Sequence, residues 1–237
     1  KPIGFAAFIQ QASKSQIVYV GEVHTCRFDH EVQLKVLEGL HAVKPVVLAM
    51  EMFPREKQSI VDRFSKGELS EQQFIVQVDW QKTWGYPFEL YQDILLFAQN
   101  RKIPILALNA PSDIIKKISR EGFASLTAEE RQRIPLEEIP KGDPLHRRFL
   151  KEQFEHHRQY GIKNFENFYE AQLTWEKTMA ASLAQALSRN DKEVTIVALI
   201  GKGHMHNGLG VPKWTATLFP HSYKIVFPVP INYPRSV

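Results

Sequence analysis

The sequence predicts an α/β fold: a mostly parallel sheet with flanking helices, plus a smaller helical insertion. Three observations carry this. Five short apolar runs, at residues 17–20, 46–50, 103–108, 194–200 and 223–229, read as strands. The middle three are apolar almost without a break, as strands covered on both faces are. Helical patterns lie between the runs, and strand–helix–strand alternation implies right-handed crossovers.

In chain order, run 17–20 leads into a helix over 28–43, where Val32, Val36, Leu37 and Leu40 recur at mostly helical spacing. Lys44-Pro45 closes that helix. After run 46–50, residues 88–100 carry Leu90, Tyr91, Ile94, Leu95 and Phe97 as the next helix, which enters run 103–108. The stretch from 111 to 168 has no strand pattern. Within it, Leu126-Thr127-Ala128-Glu129-Glu130 reads as a helix start with Thr127 and Glu130 as a capping box. Pro135, Pro140 and Pro144 interrupt, and residues 145–160 form a polar helix. A long helix over 165–188 then returns to run 194–200. Residues 1–110 and 169–237 are thus expected to form the α/β body, and 111–168 the helical insertion.

With 237 residues, 43% of them hydrophobic and 24% charged, the chain can bury the core of one large domain. The net charge of +4, from 30 basic and 26 acidic residues, is mild and forms no basic stripe, which argues against nucleic acid as a partner. No run approaches the ~18 apolar residues of a membrane-spanning helix. Cys26 is the only cysteine, so no internal disulfide can form. The chain begins Lys1-Pro2-Ile3, without methionine or a signal peptide, so a targeting segment is expected to be missing.

Four of the runs end in polar or titratable groups. The first delivers Glu22 and His24 within Gly21-Glu22-Val23-His24. The second delivers Glu51 and the third Asn109. The fourth delivers His204 within Gly201-Lys202-Gly203-His204, with His206 two residues on. Parallel α/β sheets bind ligands beyond the carboxyl ends of their strands. Glu22, His24, Glu51, Asn109 and His204 are therefore the candidate catalytic set. Each alone has a plainer role: a glutamate after a strand caps a helix, and an asparagine before Ala110-Pro111 makes a turn. Their coincidence on four strands favours a common site.

Histidines with glutamates suit zinc or manganese, so His24, Glu51, His204 and His206 are candidate ligands of a divalent metal whose bound water would be the nucleophile. His204 and His206 would share a face if their segment were extended. The glycines at 201–203 match neither a P-loop nor the dinucleotide fingerprint. Cys26 is more simply an incidental cysteine than a nucleophile.

Aromatic residues gather in two places. Trp80, Trp84, Tyr86, Phe88 and Tyr91 offer either a packed loop or an apolar wall for a flat ligand. Phe149, Phe154, Tyr160, Phe165, Phe168 and Tyr169 lie near His156, His157, Arg147, Arg148 and Arg158. Such a mixture makes ordinary helix core, or it binds a flat, anionic, aromatic molecule. Haem has that profile, and tyrosine or histidine can hold its iron.

In this order the motifs resemble the haem-binding, iron-regulated uptake proteins of the ChaN type, in the Tiki/TraB superfamily. The resemblance runs through Gly21-Glu22-Val23-His24, Glu51-Met52-Phe53-Pro54-Arg55-Glu56, Gln58, Gly67-Glu68-Leu69-Ser70, Trp80, and Trp84-Gly85-Tyr86-Pro87-Phe88 to Tyr91. It continues through Leu108-Asn109, Ala171-Gln172, Met179-Ala180, Gly201-Lys202-Gly203-His204 and Leu209-Gly210-Val211-Pro212. The resemblance implies haem held between two protomers as a face-to-face pair, with tyrosine on iron and histidine nearby. Tyr160, Tyr169 and His157 are then the candidate cofactor-binding residues. It also implies a homodimer serving iron acquisition, exported as a periplasmic protein or membrane-anchored lipoprotein. The wider superfamily implies another chemistry. Tiki-type members are metal-dependent proteases that use paired Gly-x-x-His motifs and a glutamate, and erythromycin-esterase-like relatives are hydrolases. His24, Glu51 and His204 match that pattern.

Overall fold

The structure is a computed structural model that describes residues 2–157, 164–189 and 193–230. Helix α1 (Phe5–Ala12) precedes β1 (Ile17–Glu22), α2 (Arg27–His41) and β2 (Val46–Pro54). Helices α3 (Gln58–Ser65), α4 (Glu71–Val78), α5 (Trp80–Thr83) and α6 (Gln92–Asn100) lead to β3 (Ile105–Asn109). Then come α7 (Ser112–Glu121), α8 (Ala128–Gln132), α9 (Pro144–His157) and α10 (Phe165–Arg189). The chain ends in β4 (Thr195–Gly201), α11 (Val211–Leu218) and β5 (Tyr223–Val226).

The five strands form one all-parallel sheet in the order β3-β2-β4-β1-β5. Successive side chains of a strand point to opposite faces. Val18, Val20, Leu48, Met50, Val197 and Leu199 accordingly join Val36, Leu37 and Leu40 of α2 on one face. Ile17, Tyr19, Ala49, Ile196 and Ala198 join Met179 and Leu183 of α10 on the other. Helices on both faces explain the unbroken apolar runs.

The structure departs from the expected boundaries where backbone chemistry intervenes. β3 starts after Pro104, which has no N–H for the ladder, although its carbonyl accepts from the Leu48 N–H at 2.9 Å. The helix expected over 88–100 is split into a 3₁₀ turn (Phe88–Leu90) and α6. β2 runs past Met50 to Pro54, and its register with β3 shifts between those two residues. Such irregularities re-aim side chains at sheet edges, and this one carries Glu51.

Every helix or strand described between 111 and 168 is helical. Thr127 caps α8, and Glu130 returns the bond, as the capping box predicts. Ile114, Ile118, Phe123 and Leu126 pack on Ala171 of α10. Leu150 and Phe154 of α9 pack on Phe168 and Leu173 of the same helix. Among the described residues no helix is long and apolar enough to cross a membrane.

Candidate functional site

β1 and β4 are parallel neighbours, with Glu22 opposite Gly201. The two Gly-x-x-His motifs therefore meet at one edge, and β2 and β3 bring Glu51 and Asn109 beside them.

Glu22 is buried and heavily bonded. His24 Nδ1 lies 2.7 Å from its Oε1, and the Tyr91 hydroxyl donates to the same oxygen at 2.7 Å. His30 Nδ1 stands 3.2 Å from its Oε2. Burial alone would raise the Glu22 carboxyl, but hydrogen bonds and charge from His24 and His30 hold it at about 2. In turn, burial disfavours the charged His24 ring, but Glu22 and Glu51 raise it above its ordinary value. The His24 ring is wedged edge-on against Trp84, 4.7 Å between centroids, and tilted against Tyr86 at 5.1 Å. With Nδ1 engaged by a carboxylate, His24 has one orientation and one remaining nitrogen.

His204 mirrors it. Its Nδ1 lies 3.4 Å from Glu176 Oε1, and its Nε2 lies 3.5 Å from Glu51 Oε1. His146 Nε2 holds the same Glu176 oxygen at 3.1 Å. Burial opposes charge on both groups, but the pairing wins: Glu176 is pushed down and His204 up. Glu51 takes the Gly201 N–H on Oε2 at 2.6 Å, while Oε1 has no hydrogen-bond partner. Asn109 donates to the Glu51 carbonyl at 2.8 Å and accepts from the Ala110 N–H at 2.8 Å, so it clamps the two strand ends together. Buried carboxylate–imidazole clusters of this kind are poor stabilisers, because desolvation offsets their attraction. They are common where chemistry or binding is done.

The metal expectation gains no support. Among the described residues no group of three or more His, Cys, Asp or Glu is placed to hold a metal ion. Glu22, Glu51 and Glu176 are paired to imidazoles rather than gathered around a shared point. His206 is also elsewhere: Lys202–Gly208 is 3₁₀ with a kink at His206 and Asn207, so His204 and His206 do not lie on one extended run, and the His206 ring stacks on Phe149 at 3.9 Å and 2°.

A cavity of about 520 Å³ opens beside this cluster, within the usual range for small-molecule sites. His24, Asn109 and His204 line its floor. Trp84 and Tyr86 form one wall, and α7, α9 and α10 supply the others through Ile115, Phe149, Phe168 and Trp175. The Trp175 indole N–H is buried without a partner. A flat apolar ring system suits this aromatic and aliphatic lining. Tyr86 and His24, both in its lining, are in ring contact.

Tyr169 packs its hydroxyl against Gly142 and its ring on Phe165, outside the cavity lining. Tyr160 and the His157 side chain lie outside the described residues. Tyr86, expected only in an aromatic wall, is the tyrosine at the cavity. Glu176, His146 and His30 escaped sequence reasoning altogether, and Tyr91, read only as part of an aromatic wall or a helix, is a partner of Glu22. The signal available for Glu176 was a glutamate on the helix face that also carries the buried Met179 and Ala180.

Fold and site together define an α/β protein with a ligand cavity at the carboxyl edge of a parallel sheet. The chain belongs to the haem-binding uptake family of the Tiki superfamily, ChaN, whose family model matches residues 8–214. The fold resembles a structure of cofacial heme binding to ChaN of Campylobacter jejuni, with a TM-score of 0.74 and 17% identity, over 96% of this chain and 86% of that one. It also resembles RRSP, a MARTX toxin effector domain from Vibrio vulnificus, with a TM-score of 0.50 and 13% identity, over 85% of this chain and 31% of that one. At these identities the two likenesses speak for the fold. No curated protein matches the sequence significantly.

Proposed function

We propose that this protein binds haem for iron acquisition, in the cavity between α7, α9, α10 and the Trp84–Tyr86 wall, with Tyr86 on the iron and His24 beside it. The observation that carries the reading is that a member of a haem-binding family has an aromatic cavity in which a wall tyrosine, Tyr86, touches a floor histidine, His24. When bound, haem would supply the redox-active iron. The chain supplies the rest: flat apolar walls and a carboxylate that fixes the His24 ring. Burial, then Glu51 and Glu22, raise the Tyr86 phenol, so the free hydroxyl stays neutral near pH 7. Titration with haemin should give a shifted Soret band and an endpoint near one haemin per chain. Tyr86→Phe should remove the phenolate-to-iron charge-transfer band, while Tyr169→Phe keeps it. The absence of any spectral change at micromolar haemin contradicts the reading. Pairing of two chains around two haems, and an exported, membrane-anchored location, belong to the same proposal. Fractionation of the producing cell checks the second.

A second reading, hydrolysis, is favoured by the unpartnered Oε1 of Glu51, which lies 3.5 Å from His204 Nε2, and by the Glu22-held His24, whose charged form Glu51 favours. In that reading Glu51 is the base and the histidines carry protons. Loss of ester or peptide cleavage in Glu51→Gln with haem affinity unchanged would separate it from the first.

A further inference from the structure

Helix α2 carries a buried histidine to which both readings give no task. His30 is 3% exposed and lies outside the cavity lining. Its ring is nevertheless bonded on both sides. Nε2 lies 3.2 Å from the His24 carbonyl oxygen, and Nδ1 lies 3.2 Å from Gln33 Oε1. The Gln33 amide has only one way round, because its nitrogen donates to the Val20 carbonyl at 3.2 Å. Its oxygen therefore faces His30. Carbonyl oxygens accept and never donate, so each ring nitrogen of His30 must bring its own proton. A neutral imidazole carries one such proton and an imidazolium carries two. The counter-charge is close: Glu22 Oε2, buried and otherwise unpartnered, stands 3.2 Å from Nδ1. Burial opposes a charged ring, but Glu22 and the two bonds raise it above the ordinary histidine value. Tyr91 closes another side, with its ring centroid 4.5 Å from that of His30 and its hydroxyl on Glu22. A buried charge is costly to keep. His30 keeps it where two supports of His24 meet: the Glu22 carboxylate that holds the ring, and the His24 carbonyl that fixes the backbone.

We infer that His30 is the positioning residue of His24, a buried imidazolium that ties Glu22 and the His24 carbonyl to α2 and so fixes how the His24 ring faces the cavity. The inference rests on the reading of His24 as a working group of the cavity, beside an iron or carrying protons. Working imidazoles owe their orientation to such outer partners. Without His30 the Glu22–His24 bond survives, but carboxylate and backbone are both free to shift, and the ring shifts with them.

The test uses the full chain with nitrogen-15 in its histidines, each signal assigned by its loss on single substitution. Near neutral pH, His30 should show both ring nitrogens protonated, and His24 should show a protonated Nδ1 in one ring setting. His30→Gln can still donate a hydrogen bond but carries no charge, and in it the His24 signals should shift and broaden. A wild-type His30 with one protonated nitrogen overturns the assignment, and that measurement needs no variant to fold. His24 signals unmoved in a folded His30→Gln overturn it too. Haemin supplies the functional arm. His30→Gln should weaken haemin binding by about tenfold, the effect of one hydrogen bond to a charged group. In a His24→Ala background the same change should cost nothing further. An equal loss in both backgrounds marks a role in folding alone and overturns the inference. His41→Gln removes another histidine of α2, one that packs on Phe97 outside the cavity lining, and should bind haemin like the wild type. An equal loss there overturns the inference as well. A wild type that binds no haemin removes the haem reading, while the nitrogen signals still decide the role of His30.

Discussion

At the scale of single residues, the site is a set of proton positions held by buried charge, and its pH dependence follows. Glu22 titrates at about 2 in the folded protein against an ordinary 4.5. A depressed carboxyl adds stability that is fully present above about 4.5 and fades as pH falls through the folded value. His24 and His30 are raised above an ordinary 6.5. Raised histidines add stability that is complete below about 6.5 and fades as pH rises through their folded values. Glu22→Gln should therefore cost most between about pH 4.5 and 6.5, on the order of 3 kcal/mol for breaking a buried pair. Melting temperatures of both proteins across pH give the difference curve. A penalty that stays flat across that range and beyond would show that Glu22 acts by shape rather than by charge. Glu22 and His24 were legible in the sequence because each closes an apolar run. Tyr91 and His30 were not, because they reach Glu22 from α6's leading edge and from α2, and no local pattern records such a crossing.

At the scale of elements, the sequence revealed where strands stop but not how closely their ends approach. β4 ends at Gly201 because the neighbouring strand end leaves no room for a side chain. A Cβ there would stand 2.9 Å from His24 Cε1 and 3.4 Å from Glu51 Oε2. The Gly201 φ of −55° is ordinary, so the glycine serves close approach rather than unusual backbone geometry. Gly201→Ala should fold, with a loss of about 1–3 kcal/mol from overpacking. His24 must also give way, so the haemin spectrum should change along with the melting temperature. A variant that melts earlier but keeps the wild-type haemin spectrum would contradict the contact. The capping box at Thr127 was readable because its two bonds are local. The turn at His204–His206 was not, since extended and 3₁₀ backbone suit the same glycines and histidines. That choice decided whether His206 joined the site, and the structure stacks it on Phe149 instead.

At the scale of the molecule, the fold class was legible because parallel strands buried on both faces need unbroken apolar runs, and β2, β3 and β4 have them. The cavity was not, since it needs α7, α9 and α10 to converge, and helices declare their faces but not their neighbours. Its construction bears on assembly. One chain supplies the floor and the helical and aromatic walls, so on the proposed function each chain would take its own haem. A face-to-face pair then requires two such cavities to meet across a two-fold axis, the same surface on both partners. If stacked ligands rather than protein surface join them, the pairing should depend on haemin. Light scattering should find one chain per particle without haemin and two at saturation, with one haemin per chain in both titrations and mass measurements. Because binding and pairing are linked, the shift should sharpen as protein concentration rises. A chain that stays single at saturating haemin would remove the pair and leave the cavity assignment standing. A dimer already complete without haemin would place the contact in protein surface instead, and the haemin titration would then lose its dependence on protein concentration.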